Sequence, residues 1–399
     1  MKRVLLVSHE LTVTGAPNSL LRQAKYFLSA GFGVDVWTFK GGALVPRYEE
    51  AGLAPRIVPN TRAGLKQVFE ESGTRYDLIV CNTIRTYRAA DALQRYGTPV
   101  VWFIRETKML DEDHWLNPDF ARVFDTFYNL YTISEYNAAV VRDYNPSVRV
   151  IHNAVADTFK DFTPPADHTR FGFIGSFMKV KGLDLLLDAF KSVRADIPSC
   201  TLSIAGAPHL KFGHALYEAE KNAPGVIWAG EVQGDGKEAF FDSVDVLCVP
   251  SLDEPFGLTV LEGVMHGKPV ITTDCTGAGF VVDGASGGVV KAGDVQALAA
   301  EMRRFAKMDA AALRSCAEQA RLRYLKFGTP DVERAAVLEM FKENEGRAPV
   351  VHDRLRLDER RPFFHETRYE DGRRRFYAGG LRLLTVKGKG IVKRSKHGE

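Results

Sequence analysis

The chain has 399 residues, 45% of them apolar and 26% charged, with a formal net charge of +3, the profile of an ordinary soluble globular protein long enough for two cored domains and an appendage. No run of about 18 uncharged apolar residues occurs, which excludes a membrane-spanning helix, and the five cysteines form no CxxC pair, which argues against a disulfide framework or a zinc knuckle. Residues 350–399 hold 14 Lys and Arg against 7 Asp and Glu, so the rest of the chain is slightly acidic and any attraction to an anionic partner is expected in the tail.

The first apolar run, Val4 to Val7, is interrupted by Ser8-His9-Glu10 before it reaches the length of a signal-peptide core, so a cytoplasmic protein is expected. A polar loop runs to Gly15. Beyond Pro17, residues Leu20, Leu21, Ala24, Phe27 and Leu28 recur with helical period. Pro17 suits a first helical turn and Gly31 an end, giving strand, loop and helix in that order. Strand-like runs follow at Val34 to Phe39, Asp77 to Val80, Pro99 to Ile104 and Leu130 to Ile133, several separated by helix-length segments. This alternation predicts an α/β domain with a parallel sheet covered on both faces.

The pattern lapses between Ala154 and Ala166, where two adjacent prolines fit neither helix nor central strand, and a domain boundary is placed there. It restarts with strands at Phe171 to Ile174, Thr201 to Ala205, Val226 to Ala229, Val246 to Val249 and Val270 to Thr273, with helices at Leu183 to Arg194 and Leu258 to His266. Helices between Asp294 and Tyr324 and at Pro330 to Asn344 close the pattern. The expected division is therefore 1–160, 166–328, a helix over 329–346 and a tail over 347–399. In the tail, Asp371-Gly372 between two β-prone arms predicts a hairpin, and KGKGIVKRSKHGE predicts a frayed basic end.

The stretch SLDEPFGLTVLEGVMHGKPVITTD, residues 251–274, carries the most chemistry. In a doubly wound domain, ligands collect beyond the carboxyl ends of the strands, where helix N-termini offer unpaired N–H groups and partial positive charge. Here the strand Val246 to Val249 feeds a loop, Gly257 leaves the backbone unobstructed, and the N–H groups of Gly257, Leu258 and Thr259 suit a diphosphate. Glu254 and Glu262 flank that position. A carboxylate accepts two hydrogen bonds at once and suits a vicinal diol, so the pair fits a ligand with hydroxyls on both sides of an anion, such as a nucleotide sugar. A second loop, FGFIGSFMKVKG, ends a strand at Gly175 and brings Ser176 and Lys181 to the same edge. No GxGxxG stands at these turns, which weakens a dinucleotide-cofactor reading.

The E-x7-E element with its Pro255-Phe256-Gly257, the following His266-Gly267-Lys268-Pro269-Val270-Ile271, the loop Gly175, Ser176, Lys181, Gly182, and VIHNAVADTF resemble the retaining GT-B glycosyltransferases of the family 4 type. The amino-terminal GAPNSLLRQAKYFLSAGFGVDVWT is similar to that family's first glycine loop and helix. The resemblance covers roughly residues 1–345. It implies two Rossmann-like domains facing across a cleft, a last helix crossing back to the first domain, no metal, no cofactor, and a UDP- or GDP-sugar as co-substrate. By position it implies Glu262 on the donor ribose, Glu254 on the transferred sugar, and Lys181 on the diphosphate. Phe256, Gly257, Leu258 and Thr259 would make backbone contacts, and Gly15 would close over the phosphates or the acceptor.

Two departures stand out. Ser176 occupies a position where family members commonly carry arginine, leaving one phosphate cation missing unless Lys179 substitutes. Arg105-Glu106 stands where a histidine and an acid are frequent, so these two and His9 are the acceptor-side candidates. The expected activity is sugar transfer to a glycan or lipid-linked acceptor in surface polysaccharide synthesis, with residues 373–396 meeting an anionic membrane at its inner face and no nucleic-acid partner. A catalytically weak homologue acting as a sugar-binding subunit is the alternative; donor turnover separates the two. A nucleotide-sugar epimerase is disfavoured by the E-x7-E element.

Overall fold

The computed structural model describes residues 1–162 and 168–349, and the backbone of four tail strands at 364–368, 373–378, 381–387 and 390–392. It divides into two compact units, one of residues 1–130, 141–148 and 344–399 and one of residues 131–140 and 149–343. The Asp371-Gly372 turn, the prolines at 164 and 165, and the last seven residues lie outside the described residues.

The first sheet has strands β1 (Arg3–Ser8), β2 (Gly33–Thr38), β3 (Arg56–Ile57), β4 (Leu78–Asn82), β5 (Val100–Ile104), β6 (Leu130–Thr132) and β7 (Val148–Val150), in the order β3-β2-β1-β4-β5-β6-β7. The registers around β1 are parallel, with Leu5 opposite both Asp35 and Ile79. Val4 to Val7, Leu78 to Cys81 and Val100 to Ile104 are buried without a break. Runs this apolar form because helices cover both faces of the sheet. One cover is the helix Gly15–Ser29, which buries Leu20, Leu21, Ala24 and Phe27. Another is the helix Pro118–Thr126, started by Pro118 and by Asn117, whose side chain accepts the Phe120 N–H at 3.1 Å. It packs Phe120 and Phe124 edge-on against Trp102.

The second sheet has β8 (Arg170–Ile174), β9 (Thr201–Ala205), β10 (Val226–Gly230), β11 (Val246–Val249), β12 (Val270–Thr273) and β13 (Gly287–Val290), in the order β10-β9-β8-β11-β12-β13. All of its pairings are parallel. Numbered within the sheet, this is 3-2-1-4-5-6, the doubly wound order whose direction reverses between the first and fourth strands. That reversal falls between β8 and β11. The helix Leu183–Asp196 lies over the sheet with Leu183, Leu186, Leu187 and Phe190 buried among Phe171, Phe173, Leu202 and Ile204. The two Rossmann-like domains expected from the sequence are present, and Cys81, Cys200 and Cys248 are buried free thiols, with Cys275 and Cys316 half-buried.

Several elements differ from expectation. Residues 287–290 form the edge strand β13, where the sequence pattern assigns no element. Gly287 is needed for close approach, since a Cβ there would lie 2.1 Å from the Val270 carbonyl oxygen. The short strands Arg56–Ile57 and Val148–Val150 were not anticipated either. In the tail, β14 (Phe364–Arg368) and β15 (Arg373–Ala378) pair antiparallel as the hairpin signal predicts, and β16 (Leu381–Lys387) and β17 (Gly390–Val392) extend them into a four-stranded sheet. The expected frayed end is thus corrected at residues 390–392, where β-branched Ile391 and Val392 pair with Val386 and Thr385.

Candidate functional site

The loops that leave β8 and β11 meet at the reversal point of the second sheet. The β8 loop passes Gly175, whose N–H bonds the Ala205 carbonyl at 3.0 Å, and ends in a tight turn at Lys179–Lys181. Gly182 then starts the helix with φ of +68°, and a Cβ there would lie 2.1 Å from the Pro250 carbonyl oxygen. The Leu252 N–H donates to the Val180 carbonyl at 2.8 Å, joining the two loops directly.

The turn Asp253 to Gly257 is held by its neighbours. Glu254 donates its N–H to the Cys275 carbonyl and accepts from the Gly277 N–H, both at 2.9 Å. The Pro255 carbonyl accepts from the Ser134 hydroxyl at 2.6 Å, and Asp253 accepts from the Tyr136 hydroxyl at 2.8 Å. Gly257 has φ of +91°, and its missing Cβ would sit 2.9 Å from Thr276. The helix Leu258–Met265 begins with no side-chain cap on Gly257, so its first N–H groups are directed outward. Phe256 is buried, with Val260, Leu261, Val264 and Met265 forming the inner face of the helix.

Both glutamates carry a lysine. Glu254 Oε2 pairs with Lys181 Nζ, and Glu262 Oε1 accepts from Lys237 Nζ at 2.6 Å. All four side chains are partly open to solvent. Lys237 lies in the helix Asp235–Asp242 after β10 and was missed in the sequence; its only local signal is a lysine near a glycine-bounded helix start. Lys179, considered as a stand-in for the missing arginine, has its ammonium on Asp184 and 5.3 Å from the Phe212 ring centre. Ser176 and Gly175 line a cavity of about 280 Å³ with Gly206, His209, Glu231 and Gln233, at the ends of β8, β9 and β10. Sequence reasoning did not find this cavity, because its walls come from three loops far apart in the chain.

The first sheet reverses direction between β1 and β4, and the remaining candidates gather there. His9 follows β1, and its Nδ1 lies 3.1 Å from the Thr83 hydroxyl at the end of β4. Burial holds the imidazole below its usual range. Glu106 Oε2 accepts the N–H groups of Ile84 at 3.2 Å and Arg105 at 2.9 Å, and burial pushes its carboxyl up. Arg105 is buried, with Nε donating to Asn82 Oδ1 at 2.5 Å and its guanidinium 5.1 Å from the Phe103 ring centre. Arg105 and Glu106 therefore brace the loops; Arg105 is turned inward, whereas His9 and Glu106 each stay partly open to solvent. Gly15 opens the helix Gly15–Ser29 with free space around its Cβ position. Among the described residues no cluster suited to a metal ion occurs, and no helix is long and apolar enough to cross a membrane.

Two protein families match this chain. The family described as Glycosyl-transferase family 4 matches residues 1–147, and the family described as Glycosyl transferases group 1 matches residues 168–308. The chain is 31% identical to a D-rhamnosyltransferase, WbpZ, of Pseudomonas aeruginosa over 41% of this chain and 45% of that protein. It is 29% identical to a phosphatidyl-myo-inositol mannosyltransferase of Mycobacterium leprae over 38% and 42%. The match spans about a third of the length of an uncharacterized glycosyltransferase of Methanocaldococcus jannaschii, at 32% identity over 30% of this chain and 33% of that one. Among solved structures, the chain resembles Anabaena Alr3699/HepE in complex with UDP, with a TM-score of 0.74, 19% identity, and coverage of 86% of this chain and 100% of that one. The lipopolysaccharide-biosynthesis glycosyltransferase WaaG matches with a TM-score of 0.64 at 16% identity, over 84% and 99%. These two likenesses show the GT-B fold.

Because Gly257 combines positive φ with a crowded Cβ position, Gly257→Ala is expected to cost about 1–3 kcal/mol and to lower the melting temperature by several degrees. An unchanged melting temperature would contradict this account of the turn.

Proposed function

This chain belongs to the group 1 and family 4 glycosyltransferases, and on that premise we propose that it moves a sugar from a nucleoside-diphosphate sugar to a glycan or lipid-linked acceptor in surface polysaccharide synthesis. The observation that carries the reading is the pair of lysine–glutamate contacts flanking an uncapped helix N-terminus at the β8/β11 reversal. Each carboxylate is matched by a cation that a ligand can displace.

When the donor binds, the ribose hydroxyls take the place of Lys237 on Glu262, and hydroxyls of the transferred sugar take the place of Lys181 on Glu254. The released ammonium groups then face the diphosphate together with the N–H groups of Gly257, Leu258 and Thr259. Lys237 thereby supplies the cation that Ser176 leaves out. The base enters the cavity lined by Gly175, Gly206 and Glu231.

In the reaction the bond between the anomeric carbon and the leaving phosphate oxygen breaks through an oxocarbenium-like state. The acceptor oxygen bonds to that carbon on the same face, and its proton passes to a donor phosphate oxygen. Fixed N–H groups and the lysines stabilise the charge that grows on the diphosphate. This scheme uses no metal and forms no covalent enzyme intermediate. The UDP named with the Anabaena structure makes a uridine donor the first to test. Ser176 also favours a second reading, a sugar-binding subunit with little turnover, which would bind UDP-sugars without releasing UDP.

Lys181→Ala should lower turnover of the accepted donor by about 10²-fold or more; near-normal turnover would remove Lys181 from the charge-stabilising set. The +7 of charge in residues 350–399 supports a peripheral position on an anionic membrane face. Deleting those residues should reduce cosedimentation with phosphatidylserine vesicles, and undiminished cosedimentation would refute that assignment.

A further inference from the structure

The first sheet has its own reversal point between β1 and β4, where doubly wound domains collect ligands, and one residue there is in an unusual state. Thr83 has φ of +77° and ψ of +159°, a region that is essentially restricted to glycine. For a β-branched residue this is a true outlier and costs about 1–3 kcal/mol. The fold enforces it from both sides. The Thr83 N–H donates to the Phe103 carbonyl at 2.9 Å. Its own carbonyl accepts from the Thr86 N–H at 3.2 Å, the Thr86 hydroxyl at 2.9 Å and the Trp102 Nε1 at 2.8 Å. Glu106 fixes the next residue by accepting the Ile84 N–H.

Glycine at position 83 would relieve the strain, and what it would remove is the side chain. Within the described contacts that side chain makes one polar interaction, from Oγ1 to His9 Nδ1 at 3.1 Å. The strained backbone therefore aims a hydroxyl at one nitrogen of an imidazole. His9 keeps about a quarter of its side chain exposed, with Nε2 3.6 Å from Glu10 Oε1. The Glu10 carboxylate is in turn engaged by the Thr12 hydroxyl at 2.9 Å. The charged groups that act on the ring are Glu10 on its own loop and Arg85 beside β4; Arg105 and Glu106 on the β5 loop are directed at the backbone and at Asn82.

We propose that His9 is the acceptor-binding group of the first unit: Thr83 holds its Nδ1–H, and the lone pair of Nε2 receives a hydroxyl of the acceptor sugar. Thr83 is the positioning residue. The proposal rests on the transferase reading, because that reading supplies a hydroxyl-bearing acceptor. It involves hydrogen bonding alone and transfers no proton to the ring. The bond in this direction needs a neutral imidazole, which burial favours; protonation of His9 in acid reverses the bond, the ligand hydroxyl oxygen then accepting from Nε2–H.

The full chain with ¹⁵N-labelled histidines tests this, the His9 resonances being identified by their loss in His9→Gln. With methyl α-D-mannopyranoside and methyl α-D-glucopyranoside as probes, the His9 Nε2 resonance should shift and saturate with at least one of them at pH 7.5. The ring should be in the Nδ1–H tautomer before addition. Thr83→Ser should retain both properties, whereas Thr83→Ala should mix the tautomers and weaken the apparent affinity about 10-fold or more. A His9 resonance that neither probe moves, or an Nε2–H tautomer in the wild type, overturns the proposal. So does an equal response in Thr83→Ala. The rise in melting temperature caused by UDP is read on the same sample: its absence defeats the donor reading and leaves the His9 result to stand or fall alone.

Discussion

The contact on which the donor-side architecture depends is between two backbones. Gly182 and Pro250 approach so closely that a single methyl group on the former would meet the carbonyl of the latter at 2.1 Å, and Leu252 donates to Val180 two residues away. This contact makes neighbours of residues 181 and 254, which are 73 positions apart. It arises where β8 and β11 are adjacent but their helices leave in opposite directions, the geometry that opens a crevice at the carboxyl edge of a doubly wound sheet. The sheet order thus delivers the lysine, the glutamate and the helix N-terminus to one place.

The charges gathered there are balanced and only partly buried, and that is what makes them exchangeable. A fully desolvated lysine–glutamate pair would be costly to open, whereas pairs at this exposure contribute about 0.2–1 kcal/mol each. Lys181 with Glu254 and Lys237 with Glu262 are therefore suited to letting hydroxyls onto the carboxylates and releasing ammonium groups toward an anion. The surrounding turn is rigid by comparison: the Glu254 main chain is bonded to the loop after β12, and Ser134 and Tyr136 fasten the residues on either side.

Much of this was legible in the sequence, for physical reasons that can be named. Val4 to Val7 and Val246 to Val249 read as central strands because sheets covered on both faces need uninterrupted apolar runs. Gly257 and the E-x7-E spacing marked a turn into a helix. What could not be read was set by tertiary approach. The edge strand at 287–290 opens on two glycines, of which Gly287 is required by its close approach to the Val270 carbonyl. Lys237 reaches Glu262 from a different strand–helix unit, so no local window contains the pair. Arg105 was placed correctly after β5, but nothing in the sequence says that its guanidinium turns inward to Asn82. The conformation of Thr83, held by Trp102 and Thr86, leaves no compositional trace.

The central claim is that Glu262, across the helix N-terminus from Glu254, takes the ribose of a nucleoside diphosphate. Calorimetric titration of UDP into the wild-type chain and into Glu262→Gln tests it most directly, since the substitution keeps the shape and removes the charge that two hydroxyls share. The account predicts measurable UDP binding in the wild type and a loss of about 10-fold or more in the variant. Equal affinities in the two proteins would contradict it.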